Sequence, residues 1–86
     1  LMGIKLRCKK TALGAVLDRV LRYEILKELD DDVFLLVTAF GKGFVRWVAM
    51  QGKDVEIIRP LELRMRIGKW FSEVMEMYMQ DVEEEG

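Results

Sequence analysis

The stretch "KDVEIIRPLELRMRIGKWF", residues 53–71, changes its hydrophobic period in the middle, and nothing else in the chain constrains the fold as strongly. Val55 and Ile57 alternate with Asp54 and Glu56, the period of a strand with one buried face. Pro60 intervenes, and Leu63, Ile67, Trp70, Phe71, Val74 and Tyr78 then recur at helical spacing. The spacing predicts a long final helix with those six residues on its buried stripe. Proline suits the start of a helix because its missing N–H would have no partner there. Glu62 in the first turn meets the positive end of the helix dipole.

The same two periods alternate upstream. In "IKLRCKK", Ile4, Leu6 and Cys8 point one way and Lys5, Arg7 and Lys9 the other, which predicts a half-buried strand. "TALGAVLDRVLRY" places Leu13, Val16, Leu17, Val20 and Leu21 on one helical stripe, with Thr11 available to cap it. "EILKELDDDVFLLVTAF" reads as a hairpin turning at Asp30, Asp31 and Asp32. Its second arm, Phe34 to Phe40, is apolar on both faces and so calls for cover on both. "GKG" at 41–43 turns the chain, "FVRWVAMQ" makes about two turns of helix, and Gly52 stops it.

The order is β-α-β-β-α-β with one further helix, which closes most simply as an α+β, ferredoxin-like sandwich. The sheet would be four-stranded and antiparallel, in the order 4-1-3-2, with Ile4, Leu6, Val55 and Ile57 facing the helices. Trp47 and Trp70 are expected in substantially buried positions. Residues 1–80 are read as one domain and 81–86, "DVEEEG", as a fraying acidic tail.

Composition narrows the class of function. Lys plus Arg is 14 against 15 Asp plus Glu, so no general pull toward nucleic acid or acidic membranes exists. No apolar run is long enough to span a membrane, and the start is not a signal peptide. Cys8 is the single cysteine, which excludes an internal disulfide and is expected of a reducing, cytoplasmic setting. Leu1 before Met2 reads as an excerpt of a longer chain.

The chemistry-bearing residues are sparse. There is no histidine, so Cys–His and Ser–His nucleophilic pairs are excluded and zinc sites are disfavoured. No catalytic residue, cofactor or metal is assigned, and the chain is expected not to be an enzyme. The Asp30–Asp32 run lacks the alternation, the glycine and the terminal glutamate of a calcium loop. "GKG" before a helix resembles a phosphate cradle only loosely, and a plain strand-to-helix connection is preferred. Cys8 is read as a buried structural thiol. Met75, Met77 and Met79 are read as core or interface packing rather than as a soft binding surface. The first strand offers no aromatic residue for base stacking, which argues against an RNA-recognition module of the same topology. None of the helices presents the exposed polar start that reads a DNA major groove, so duplex recognition by this chain alone is not expected.

The run "FVRWVAMQGKDVEIIRPLELRMRIGKWFSEVMEMY" resembles the C-terminal extension of bacterial WYL-domain transcriptional regulators. That family shows a short helix with a Trp, a Gly, a Val-rich strand, a Pro, a Leu-Arg pair and a long helix ending near a Tyr. Here these are Trp47, Gly52, Val55 with Ile57, Pro60, Leu63 with Arg64, and Tyr78. Arg59 departs from the acidic residue expected before the proline. The resemblance implies a parent chain that also carries a helix-turn-helix domain and a ligand-sensing WYL domain. It implies a homodimer, with this extension serving assembly and helping to hold or relay a ligand signal. Lys5, Arg7, Lys9 and Arg59 are then candidate contacts for a nucleotide or oligonucleotide ligand shared with the WYL domain, or for another anionic partner. The competing reading pairs the Lys5–Lys9 stripe with Asp54 and Glu56 on the neighbouring strand, and is preferred. An ACT-like small-molecule-sensing domain shares the element order and is the alternative. It would place glycines at the first strand–helix junction, where "CKKTALG" offers only Gly14.

Overall fold

The structure, a computed structural model, describes residues 1–83. Its elements run β1 (Met2–Lys9), α1 (Leu13–Leu17), β2 (Arg22–Glu28), β3 (Asp32–Ala39), α2 (Gly41–Met50), β4 (Val55–Arg59) and α3 (Leu61–Met79). Short 3-10 turns precede α1 at Lys10–Ala12 and β4 at Gly52–Asp54. The four strands form one antiparallel sheet in the order β2-β3-β1-β4, the ferredoxin-like arrangement expected of this element order. The acidic end predicted to fray begins at Asp81, just past α3, and its last residues, 84–86, lie outside the described residues.

Strand alternation builds the core. Ile4, Leu6 and Cys8 of β1, Val33, Leu35, Val37 and Ala39 of β3, and Val55 and Ile57 of β4 all face the helices and are buried. Val16 of α1, Phe44, Val45 and Val48 of α2 and Leu63 of α3 close over them. Two one-residue register shifts bend the sheet borders, one in β2 between Ile25 and Lys27, the other where β4 passes Lys5 and Leu6 of β1.

Several elements differ from the sequence reading. The first helix is short: it ends at Leu17, and Leu21 instead donates its N–H to the carbonyl of Thr38 at 2.8 Å, starting the sheet. Thr11 makes no capping hydrogen bond and lies in the preceding 3-10 turn. "GKG" is not a turn but the first turn of α2, which begins directly after Phe40. Gly52 does end that stretch, with φ of 61°, a conformation that a side chain would strain. Pro60 stands at the N-cap of α3, and its carbonyl accepts the N–H groups of Leu63 and Arg64 at 3.1 and 3.2 Å.

The largest departure is in α3. Leu63 is buried, and Ile67 and Trp70 are half-buried against the core. Beyond them Phe71 is 48% exposed, Val74 46% and Tyr78 83%, so the predicted stripe is covered only along its first half. Met75, Met77 and Met79 are exposed as well, which removes the core reading for them. A helix of 19 residues is about 28 Å long, more than the sheet beneath it can cover. The far end projects and stretches the molecule to 53 × 29 × 20 Å. Trp47 and Trp70, expected in buried positions, are both half-buried. Trp47 stacks on Phe44 at 6.0 Å and carries the Arg19 guanidinium 4.4 Å above its ring.

Candidate functional site

The face of the sheet turned away from the helices carries the charged residues of β1. Arg7 stands at its centre. Its Nε donates to Glu56 Oε1 at 2.9 Å, Nη1 to Asp32 Oδ1 at 2.8 Å, and Nη2 to the Lys53 carbonyl at 2.7 Å. Strand pairing explains this: Glu56 of β4 faces Arg7 directly, and Asp32 lies two residues along β3 from Phe34, the residue opposite Arg7 on the other side. Arg64 of α3 completes the row, its Nη1 donating to Glu56 Oε2 at 2.6 Å and to the Ile57 carbonyl at 3.0 Å. Two guanidiniums and two carboxylates alternate as Asp32–Arg7–Glu56–Arg64.

This row ties four elements into one piece. It holds the Glu56 carboxyl below the usual carboxylate range, chiefly through the Arg64 hydrogen bond and then through Arg7. It also raises the already high Arg7 pKa, with the Glu56 hydrogen bond as the main cause. The guanidinium of Arg7 is thus occupied from within the chain. The preferred pairing of Arg7 with β4 is present through Glu56, whereas Asp54 sits in the 3-10 turn and Asp32 takes the second place. Asp32 was hidden in sequence because it is the third of three aspartates that read equally well as a turn. The register of β3 against β1 is the signal that singles it out.

The other candidate cations are placed differently. Lys5 faces Arg59 across the β1–β4 pairing, two like charges side by side, and neither has a salt-bridge partner among the described residues. Lys9 stands exposed opposite Asp32. These three do not converge on one enclosed cavity. Cys8 is fully buried and its thiol is pushed up by that burial, so it is a packing residue.

A groove of about 420 Å³ runs beside α3, between it, the C-terminal end of α2 and β4. Ala49, Ile57, Ile67 and Phe71 give it an apolar floor, Lys53 gives it an exposed positive charge, and the Arg7–Glu56–Arg64 part of the ion-pair row runs along it. A second hollow lies at the start of α2, where Asp18, Arg19, Lys42 and Trp47 meet. Whereas Trp47 lines the second hollow, most of the family-motif residues take structural places around the first groove. Gly52 and Val55 line it, Leu63 anchors α3, Arg64 bridges α3 to β4, and Pro60 caps the helix. Tyr78 stands apart on the projecting half of α3.

The chain is therefore a ferredoxin-like α+β module, braced on its polar face by an ion-pair row and bearing a groove along its last helix. A model of the WCX domain matches residues 2–75, nearly the whole chain, and the chain belongs to that family. WCX is the C-terminal extension of WYL-domain regulators, so the chain is a C-terminal module of that class of regulator. No curated protein and no solved structure matches it significantly.

Proposed function

We propose that this module assembles its parent transcriptional regulator as a homodimer and sets the spacing of the DNA-binding and WYL ligand-sensing domains. One observation supports the reading above the others: the chain's apolar inventory exceeds its core. Fourteen hydrophobic residues are buried, while eighteen large hydrophobic residues stand exposed among the described residues. They are not scattered singly, as surface hydrophobics normally are. Phe71, Val74, Met75 and Tyr78 line the projecting half of α3, and Leu36, 44% exposed, sits on the sheet face that α3 leaves open. Contiguous apolar surface of this kind is stable when another folded surface covers it.

The charged face supports a second, smaller part of the role. Arg7 braces the fold, whereas Lys5 and Arg59, side by side and without a salt-bridge partner among the described residues, can receive an anionic group from a neighbouring domain or its ligand. The decisive measurement is the mass of the parent regulator, with and without this module, by sedimentation equilibrium. The intact chain should be a dimer and the truncated one a monomer. Dimers of unchanged affinity after truncation would refute the assembly role.

A further inference from the structure

α3 is segregated along its length in both polarity and charge. Its core-anchored half carries Arg64, Arg66 and Lys69 against one acid, Glu62 in the first turn, and Lys69 lies 4.0 Å from Glu73 at the junction of the two halves. From Phe71 to Glu83 the only charged residues are Glu73, Glu76, Asp81 and Glu83, all acidic. That distal arm keeps the apolar face of the helix going, with Val74 and Tyr78 continuing the line of Ile67 and Trp70, but it has left the core behind. Alongside the proximal half lies the groove with the apolar floor, lined by three cations, Arg7, Lys53 and Arg64, against one carboxylate, Glu56. Glu56 pairs with both arginines and leaves Lys53 as the groove's exposed cation outside the ion-pair row. An acidic, apolar arm and a basic, apolar groove thus sit on one chain. They cannot meet within it, because Phe71 lines the groove and the arm departs from there as the same continuous helix.

We propose that the groove receives the distal arm of α3 from a second copy of this chain, reciprocally, about a two-fold axis passing near Phe71. This rests on the assembly role above and specifies the surfaces that carry it. The two α3 helices then run antiparallel. The acidic arm of each copy lies along the Arg64–Arg66–Lys69 half of the other, and Val74 and Tyr78 enter the apolar floor. Like residues of the two helices meet only near the axis, so attraction extends along both flanks. The arrangement closes on itself, since each copy gives one arm and receives one. Reciprocity doubles what one helical arm of about 13 Å, from Phe71 to Met79, can cover, toward the roughly 1,200–2,000 Å² buried by stable interfaces.

The test uses two samples of the chain mixed in equal amounts. One is ¹⁵N-labelled, and the other is unlabelled and carries a nitroxide at Met79→Cys. Cys8 is buried, so the label goes to the new thiol. The arrangement requires broadening of the amide signals of Ala49, Lys53 and Ile57 in the labelled copy. Broadening confined to the open sheet face, around Leu36 and Thr38, or no broadening at all, overturns it. Sedimentation of the unmodified chain separates the two levels of the argument. A dimer without groove broadening removes the arm-in-groove arrangement and leaves the assembly role standing, whereas a monomer at high concentration removes both. As a second check, Val74→Asp with Tyr78→Asp should raise the dimer dissociation constant about tenfold or more with an unchanged far-UV spectrum. An unchanged dissociation constant would overturn the arrangement.

Discussion

Replacing Arg7 with methionine keeps most of the side-chain stem lying across the sheet and removes its hydrogen bonds to Glu56, Asp32 and the Lys53 carbonyl. Glu56 retains Arg64, so the damage falls on Asp32 and on the 3-10 turn before β4. The expected loss is about 1–3 kcal/mol, measured by urea unfolding, and a variant as stable as the parent would show that the row is ornamental. The acid limb of stability tests the same row from the other side. Glu56 is held below its ordinary pKa, so its contribution is fully present above its unfolded value of about 4.3 and fades as pH falls through the lower folded value. Glu56→Gln should therefore lower stability at neutral pH and flatten its decline on acidification. The Arg7–Glu56 pair was legible in the sequence because strand order and side-chain alternation together place the two residues opposite each other. Asp32 was not, because pairing with Arg7 depends on a register that the hairpin sequence leaves open.

Among the elements, the strands were the most legible and the helix lengths the least. Alternation in β1 and β4 fixes which residues are buried, and those residues are buried. The stripe through Leu13, Val16, Leu17, Val20 and Leu21 predicts more helix than exists because a helical spacing does not reveal a competing partner. Leu21 gains the Thr38 carbonyl at the sheet border, and that pairing takes the segment from the helix. In α3 the spacing is helical throughout, and the structure is helical throughout. What periodicity cannot supply is the extent of the surface underneath. Two truncations measure where that surface ends. Leu63→Ala, in the core, should cost about 2–5 kcal/mol, whereas Tyr78→Ala in the monomeric state should change stability by less than about 0.5 kcal/mol. Equal effects at the two positions would mean that the arm packs on its own body. Gly52→Ala should cost on the order of 1 kcal/mol because of its positive φ, in open space where no steric contact confuses the reading.

For the molecule as a whole, stability should be graded across the sheet. β1 and β3 are central and contribute fully buried residues, while every residue of β2 is exposed. Amide exchange should therefore be slowest in β1 and β3, limited there by global unfolding, and faster in β2 through local opening. Uniform protection across the four strands would contradict that gradient and point to a cover over β2. The projecting half of α3 has a further consequence, best put in terms of mutational tolerance. Nothing in the folded core depends on residues 74–79, so a library of all single substitutions selected only for soluble expression should accept polar residues there almost freely. The same library selected for regulation in the cell is held to whatever those side chains touch. The positions at which the two maps disagree are then a direct image of the contact, obtained without knowing the partner.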